Sequence, residues 1–254
     1  MRSRWRASVF AALLLGGPTL RADDEYDGLL QSFDEAQQKW TEQTSDRKKG
    51  QARPPDPVRT FIPKFRDFAK EHAGKPEAIP ALAWLITATR TDTPKSQPEP
   101  VATWAIEALR RDHAASPALG EIMADLRNAV DSVSCEHLVP FYELVRKKNP
   151  DPEVKAAATF NLAYALWIGG PGASTTGGRR AADTARATEL FREVIKDYPD
   201  SPLAEEAKEF LKQLEHVEVG LRAPEVAGTD ANGREIRLSQ LKGRVVVLLF
   251  WGFW

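Results

Sequence analysis

A single cysteine, Cys135, is the one residue of the chain whose side chain could carry thiol chemistry. His137 follows two positions later in the stretch SVSCEHLVPFY, which has the pattern of a capped helix start. Residues two apart do not share a helix face, so this spacing disfavours a catalytic Cys–His pair and a metal site. The other histidines, His72, His113 and His216, show no spacing typical of metal ligands. We therefore predict no catalytic, cofactor-binding or metal-ligating residue, and interpret Cys135 as a buried, inert thiol.

A glycine-rich stretch at residues 169–180, GGPGASTTGGRR, raises the question of a phosphate-binding loop. Such a loop has the pattern G-x-x-x-x-G-K-[ST] after a strand, so that backbone N–H groups and a lysine face the phosphates. Here a predicted helix precedes the glycines, and the stretch contains no lysine. We interpret it as a flexible insertion between two helices.

The charge balance argues against two classes of partner. The chain has 254 residues, with 35 basic and 36 acidic side chains and a formal net charge of −1. A near-neutral chain offers no electrostatic attraction to nucleic acid or to an anionic membrane surface. The length suits one large domain or two modest ones.

The N-terminus has the organisation of a secretory signal peptide. Three arginines precede a short apolar run at residues 7–17, which Pro18 ends, and the small residue Ala22 stands before two aspartates. We predict a signal peptide at residues 1–22 and export to the periplasm or the medium. The run is too short to span a bilayer, so we expect no stable membrane span. An uncleaved N-terminal anchor is the alternative.

Residues 23–217 are predicted to be helical, because apolar residues recur at three- and four-residue steps. The first such stripe consists of Leu29, Leu30, Phe33, Ala36 and Trp40. Ser116 and Pro117 are predicted to open another helix, which continues through Leu126. Near the end of the region, Ser201 is placed as the N-cap of a helix and Pro202 as its first residue.

The stretch ATELFREVIKDYPDSPLAEEAKEFLKQL at residues 187–214 resembles part of a tetratricopeptide repeat array. It matches the second helix of one repeat, the closing proline, and the first helix of the next. The resemblance implies stacked helical hairpins that bury a shared core. For the N-terminal half of the region, an irregular all-α domain stays open as the alternative.

At Val219 the pattern changes from helical to strand-like. Asn232-Gly233 predicts a β-hairpin, and the alternating segment REIRL at residues 234–238 predicts its return strand. The segment SQLKG predicts a short turn of helix closed by glycine. The run RVVVLLF at residues 244–250 predicts a strand that is covered on both faces, as in the centre of an α/β sheet.

This succession resembles the opening of the TlpA/ResA-like thiol–disulfide oxidoreductases, in the redoxin group of the thioredoxin superfamily. The matching residues are Gly220, Ala223 and Pro224 of G-x-x-A-P, Asp230 and Gly233 of D-x-x-G, Leu238, Ser239, Leu241, Lys242 and Gly243 of L-S-x-L-K-G, and Val245 to Phe250 of the strand. Of the motif W-A-x-W-C-x-x-C, only Trp251 and Trp254 have counterparts. A peroxiredoxin of the AhpC/TSA type is the near alternative, although the two tryptophans fit the Trp-Cys pattern better.

The two resemblances together imply a mostly α fold. A helical-hairpin, tetratricopeptide-like domain at residues 23–217 would precede, at residues 218–254, the first hairpin and first core strand of an incomplete thioredoxin-like α/β domain. The implied function is an exported thiol–disulfide oxidoreductase that acts on a protein thiol or disulfide substrate, with a protein partner for the helical domain and no cofactor. The alternative is a non-enzymatic, tetratricopeptide-like interaction module with a vestigial thioredoxin tail.

In the family, the first cysteine of C-x-x-C attacks and the second resolves the mixed disulfide. This sequence contains neither, so we expect the chain as written to be inactive. Three explanations for a sequence that stops before this motif stay open. The sequence is a fragment, the protein is truly truncated, or a selenocysteine codon after Trp254 has been read as a stop. The DNA after codon 254 distinguishes them. We also expect the hydrophobic tail to be poorly ordered or to pack on the helical domain, because it has no partner strands.

Overall fold

The structure is a computed structural model that describes residues 20–45, 52, 54–88, 100–169, 181–216 and 222–249. Among these residues, 20–214 form one compact unit, which we call the helical unit. Residues 222–249 belong to a second unit, which we call the hairpin unit. The predicted mostly α fold is confirmed, since helices make up most of the described residues and a two-stranded antiparallel sheet is the β-structure found among them.

The helices α1 to α9 follow one another along the chain. Their bounds are α1 Leu20–Ser45, α2 Pro57–Glu71, α3 Ala78–Ala88, α4 Pro100–Ala108, α5 Met123–Leu126, α6 Cys135–Lys148, α7 Pro152–Ile168, α8 Ala181–Asp197 and α9 Pro202–His216. The predicted signal-peptide cleavage point after Ala22 lies in the first turn of α1, and residues 1–19 lie outside the described part. None of the helices described is long and apolar enough to cross a membrane.

Local sequence explains where several helices begin. Asp56 caps α2 by accepting a hydrogen bond from the Val58 N–H at 3.0 Å, and Asp151 caps α7 by accepting one from the Glu153 N–H at 2.8 Å. Each cap is followed by a proline at the first helical position, where the missing N–H would have had no partner. The side chain of Ser201, just before α9, donates a hydrogen bond to Glu153 Oε2 at 2.9 Å and so ties α9 to α7.

The continuous helix predicted from Ser116 to Leu126 is wrong. A 3₁₀-helix at Pro117–Glu121, the short helix α5 and a second 3₁₀-helix at Arg127–Asp131 replace it. The apolar residues of this segment are spaced by three or four positions, which both kinds of helix satisfy. Side chains from other helices bind carbonyls of this segment: Asn161 of α7 donates to Met123 and Tyr142 of α6 donates to Leu126, each at 2.8 Å.

The helices of the helical unit pack against partners that are both near and distant in the sequence. Helices α3 and α7 both contact α5, while α4 contacts α6. Consecutive helices also pack on each other, from α1 through α4 and again from α6 through α8. The central helix α3 is buried nearly all round, as expected of a helix in a core rather than at a surface.

Two aromatic clusters lie in this core. In the first, the Phe65 ring stacks on the Trp84 ring with 3.8 Å between centroids, and Phe33 of α1 meets Trp84 edge-on at 5.0 Å. In the second, Phe210 of α9 stacks on Phe191 of α8 at 5.4 Å and meets Trp167 of α7 edge-on at 5.2 Å. These contacts join α1, α2 and α3 in the first cluster and α7, α8 and α9 in the second, and aromatic pairs add specific geometry to the burial of apolar area.

The hairpin unit contains strands β1 (Ala227–Thr229) and β2 (Glu235–Arg237), paired antiparallel with Gly228 opposite Ile236. The predicted hairpin is therefore confirmed. Its turn is held by Asp230 Oδ1, which accepts hydrogen bonds from the N–H groups of Asn232 at 2.8 Å and Arg234 at 2.9 Å. Gly233 has φ +80°, a conformation that glycine adopts without steric cost.

A 3₁₀-helix at Leu238–Leu241 follows β2, and Gly243 with φ +82° ends the turn, in agreement with the predicted helical turn closed by glycine. The core strand predicted at residues 244–250 is not observed in the described part of this run. Residues 245–249 belong to no strand, because no described residue pairs with their backbone. Phe250 lies outside the described residues.

Candidate functional site

The start of α6 presents Cys135 and His137, the two residues that the sequence singled out for possible chemistry. The Cys135 thiol is half-buried and donates a hydrogen bond to the Ala165 carbonyl of α7 at 3.4 Å. The His137 ring instead lies against α4, with Nδ1 2.8 Å from Glu107 Oε1. The two side chains therefore contact different helices, as their spacing predicts. The Cys135 side chain is half-buried rather than fully buried, and its interpretation as an inert thiol stays a prediction.

His137 belongs to a small polar group at the junction of α4 and α6, which we call the Glu107 cluster: Glu107, Arg110, Glu136 and His137. Arg110 donates to Glu107 Oε2 at 2.8 Å from Nε and approaches it at 2.6 Å with Nη2. Burial alone would raise the pKa of Glu107, but the hydrogen bonds and charges of His137 and Arg110 outweigh it and hold the pKa below its usual value. Glu107 is thus a carboxylate that joins the two helices.

The second ring nitrogen of His137 also faces a carboxylate, since Nε2 lies 3.6 Å from Glu136 Oε1. An imidazole that acts as a general base needs one nitrogen directed at a substrate proton. Here both nitrogens have carboxylate neighbours. The Glu107 cluster is therefore built to connect α4 and α6 and resembles a structural ion-pair network more than a catalytic one.

The other histidines lie apart from this cluster. His113 is buried in a π-helical turn, Leu109–His113, and burial lowers its pKa. His72 follows α2, and its ring lies 4.4 Å from the Phe68 ring between centroids, tilted by 35°. His216 ends α9. Within the described ranges, no group of three or more His, Cys, Asp or Glu side chains is arranged to hold a metal ion.

Charged side chains link the helices at two further places. Arg146 of α6 pairs with Glu193 of α8 through two contacts of 2.6 and 2.8 Å, and its Nε donates to Thr159 Oγ1 of α7 at 3.0 Å. Arg127, in the second 3₁₀-helix, pairs with Glu206 of α9. Sequence reasoning missed both, because the partners are 47 and 79 residues apart and no local pattern connects them.

An acidic group surrounds Tyr26 of α1. Burial, with the negative charges of Asp27, Asp125 and Asp34, raises the pKa of Tyr26 to about 12. Burial also raises the pKa values of Asp34 and Asp125. The Tyr26 ring meets Phe65 edge-on with 6.1 Å between centroids. The phenol therefore stays protonated at neutral pH and serves as a packing residue rather than a base.

The hairpin unit contains an open apolar hollow of about 200 Å³. Its lining consists of Val226, Ala227, Gly228, Thr229, Ile236, Leu238, Leu241 and Leu248. Leu248 and Val246 are 51% and 37% exposed, whereas Val245, Val247 and Leu249 are 97%, 86% and 82% exposed. An exposure that alternates with a period of two is that of an extended chain. Residues 245–249, which we call the apolar segment, therefore present hydrophobic side chains on both faces.

Part of the family-like pattern falls outside this description. Ala223 and Pro224 precede β1 within the hairpin unit, while Gly220, Trp251 and Trp254 lie outside the described residues. The glycine-rich loop after Gly169 lies outside them as well. Comparisons of the chain with protein-family models, with curated proteins and with solved structures found no match.

Proposed function

We propose that this chain is part of an exported, redoxin-type thiol–disulfide oxidoreductase, in which the helical unit precedes a thioredoxin-like domain that begins with the hairpin unit. The order of elements in the hairpin unit is the observation that carries the proposal. A hairpin whose turn uses Asp230 and Gly233, a helical turn closed by Gly243, and then an apolar segment follow one another. The family opens with these elements in the same order.

The exposure of the apolar segment also supports this proposal. Val245 and Val247 direct their side chains away from the hollow and are almost fully exposed, while Leu248 lines the hollow. A strand with hydrophobic side chains on both faces suits the centre of an α/β sheet, where helices cover both sides. In a complete domain, further strands and helices would remove these side chains from water.

The proposed chemistry is dithiol–disulfide exchange. In the family, the thiolate of the first cysteine attacks one sulfur of a substrate disulfide, and the second cysteine then attacks the mixed disulfide. The enzyme's two thiols are oxidised to a disulfide, and the substrate disulfide is reduced to two thiols. A helix N-terminus stabilises the attacking thiolate. Cys135 also begins a helix, but its thiol donates to the Ala165 carbonyl and no second cysteine exists in the sequence to resolve a mixed disulfide.

The test compares the native gene product with the 254-residue chain. We expect intact mass and peptide mapping of the native protein to place a redox-active pair directly after Trp254, and we expect that protein to reduce insulin disulfides with dithiothreitol as electron donor. The 254-residue chain and its Cys135→Ser variant should both be inactive in the same assay. A native protein that carries no such pair and reduces no disulfide would overturn the proposal.

The second candidate function is a non-enzymatic helical interaction module. The packing of consecutive helices on one another, from α1 through α4 and from α6 through α8, favours it, because stacked helical hairpins commonly present extended binding surfaces. The insulin assay separates the two functions. If the native protein is redox-inactive and the helical unit alone retains all binding to a partner found by cross-linking in its source, the interaction module is the function.

A further inference from the structure

The segment at residues 117–131 changes its helical geometry twice, and buried side chains from other parts of the helical unit bind its carbonyls where these changes occur. The acceptors lie just before the first 3₁₀-helix, at the first residue of α5 and at its last residue. They are the carbonyls of Ser116, Met123 and Leu126, each bound at 2.8 Å. The donors, which we call the clamp, are Asn149, Asn161 and Tyr142 in the same order.

The clamp lies inside the core. Asn149, Tyr142 and Asn161 are 1%, 0% and 2% exposed. A buried amide or phenol costs free energy unless it is hydrogen-bonded, so these side chains depend on the carbonyls that they bind. A buried polar network whose members are all satisfied favours one arrangement of the core over others. The clamp therefore favours the backbone geometry that presents these carbonyls to α6 and α7.

The local sequence of the segment favours a different geometry. Residues 117–126, PALGEIMADL, combine good helix formers with apolar residues spaced by three or four positions. An α-helix bonds each N–H to the carbonyl four residues before it. The Ile122 N–H instead bonds to the Leu119 carbonyl, three residues before it, at 3.1 Å, and Ile122 has φ −109°. A 3₁₀ stretch inside a helical region often marks a hinge or a strained sequence.

The end of the segment also carries a cost. Ser132 directly follows the second 3₁₀-helix and is 1% exposed. Its hydroxyl has no hydrogen-bond partner among the residues that the structure describes. A buried polar group without a partner is rare in native proteins, because it loses its hydrogen bonds to water. Other contacts must offset this cost, and the clamp supplies three such contacts.

We propose that the clamp holds residues 117–131 in their broken form, and that this segment is a two-state element whose second form is a continuous α-helix through Ile122. A disagreement between local preference and tertiary structure is expected at such an element. The segment contacts both halves of the helical unit, since α5 packs on α3 and α7 and Arg127 pairs with Glu206 of α9. The inference does not rest on the proposed oxidoreductase function.

Nuclear magnetic resonance of the full chain distinguishes the two forms. In an α-helix the Hα of Ala118 lies close to the N–H of Ile122, four residues later, whereas a 3₁₀-helix separates these protons. We expect no nuclear Overhauser contact between them in the parent. The Tyr142→Phe/Asn161→Leu variant removes two donors of the clamp and keeps side chains of similar size. We expect the contact to appear in this variant.

Gly120→Ala shifts the same equilibrium from within the segment. Alanine in place of glycine should favour the continuous helix by about fivefold. The added Cβ would lie 3.4 Å from Val154 Cγ2, which is an ordinary contact. Combined with Asn161→Leu, this substitution should strengthen the contact between Ala118 and Ile122. Gly28→Ala is the matched control, because Gly28 lies in the continuous helix α1 with open space around it, and it should leave Ile122 as in the parent.

Far-UV circular dichroism reports whether each variant is folded. If the double variant does not fold, Tyr142→Phe/Gly120→Ala provides the same measurement, because it keeps the aromatic ring and loses only one hydroxyl. Folded variants in which the contact between Ala118 and Ile122 does not appear would show that packing alone sets the break, and would overturn the proposal. A parent that already shows the contact would overturn it as well.

Discussion

Arg127 and Glu206 form a two-pronged ion pair that joins the middle of the helical unit to its last helix. Arg127 Nη1 lies 2.5 Å from Glu206 Oε1, and Nη2 lies 3.0 Å from Oε2. The same guanidinium lies 4.5 Å from the centre of the Phe160 ring of α7. Parallel hydrogen bonds and contact with an aromatic face are geometries that arginine provides and lysine does not. The pair therefore holds α9 in place relative to α7.

Removing Arg127 should destabilise the helical unit. We expect Arg127→Ala to lower the free energy of unfolding by about 1–3 kcal/mol, because it removes both the ion pair and the contact with Phe160. Urea unfolding followed by circular dichroism measures the change. Lys208→Ala breaks the exposed Lys208–Glu205 pair and is the control, with an expected change below about 0.5 kcal/mol. Equal effects of the two substitutions would contradict the role assigned to Arg127.

Truncating Phe210 should lower the free energy of unfolding more than removing Arg127. Its ring stacks on Phe191 and also meets Phe160, Tyr164 and Trp167 edge-on, at 5.2–5.7 Å between centroids. We expect Phe210→Ala to cost about 2–4 kcal/mol, because the half-buried side chain loses apolar contacts and leaves a gap. Phe210→Leu should cost less than half as much. Thermal and urea unfolding check this, and a loss below 1 kcal/mol for the alanine variant would count against the cluster as a major source of stability.

Acidification should destabilise the fold through His113. Burial lowers the pKa of His113 in the folded state, so the unfolded chain takes up this proton first as the pH falls. Above the ordinary histidine pKa of about 6.5, His113 is neutral in both the folded and the unfolded chain, and the free energy of unfolding does not depend on it. As the pH falls from there through the folded-state pKa, the free energy of unfolding decreases by at most about 1.4 kcal/mol per pH unit. Chemical unfolding measured from pH 7.5 to pH 5 tests this.

His113→Leu is the variant for the pH test, because it keeps an apolar side chain at a buried position. Its stability should fall less steeply than that of the parent over the same pH range, and the raised pKa values of Asp34 and Asp125 act in the opposite direction, because the folded state takes up these protons first. The pKa values of Glu107 and Asp112 are also lowered, but these carboxylates lose their contributions only below about pH 4.5, outside the measured window. If the stability of His113→Leu changed with pH as steeply as that of the parent, the pH dependence would belong to another group.

The single thiol should react slowly in the native chain. Cys135 is half-buried and donates to the Ala165 carbonyl, so we expect its reaction with Ellman's reagent at pH 8 to be about tenfold or more slower than in 6 M guanidinium chloride. Absorbance at 412 nm follows the reaction. Equal rates in the folded and unfolded chains would show that the thiol is accessible and would reopen the question of its chemistry.

Limited proteolysis should release the helical unit. The hairpin unit is exposed over nearly its whole length, whereas α2 to α9 share one core. We expect trypsin or chymotrypsin to give a stable fragment near residues 23–217, identified by mass spectrometry, because cleavage requires local opening of the backbone. A C-terminal region as protected as the helices would contradict the expectation that the tail is poorly held.

The sequence by itself determined the helical class of most of the chain, the start of α9 at Pro202, and the hairpin at Asn232-Gly233. These features depend on residues close in the sequence: the periodic apolar stripes, a proline at the first helical position, and a glycine that accepts a positive φ in a turn. Local interactions of this kind can be recognised from the sequence without a structure. The same reading predicted that Cys135 and His137 would not share a face.

Only the tertiary structure decided the break of the helix between Ser116 and Leu126, the neighbours of His137, and the pairing of Arg127 with Glu206. Each depends on a partner distant in sequence: Asn161 and Tyr142 reach the carbonyls of Met123 and Leu126, and Glu107 reaches His137 from another helix. The apolar segment also shows that a local pattern needs a partner distant in sequence. Its residues predict a strand, but a strand forms only when a second backbone accepts its hydrogen bonds, and the described residues provide none.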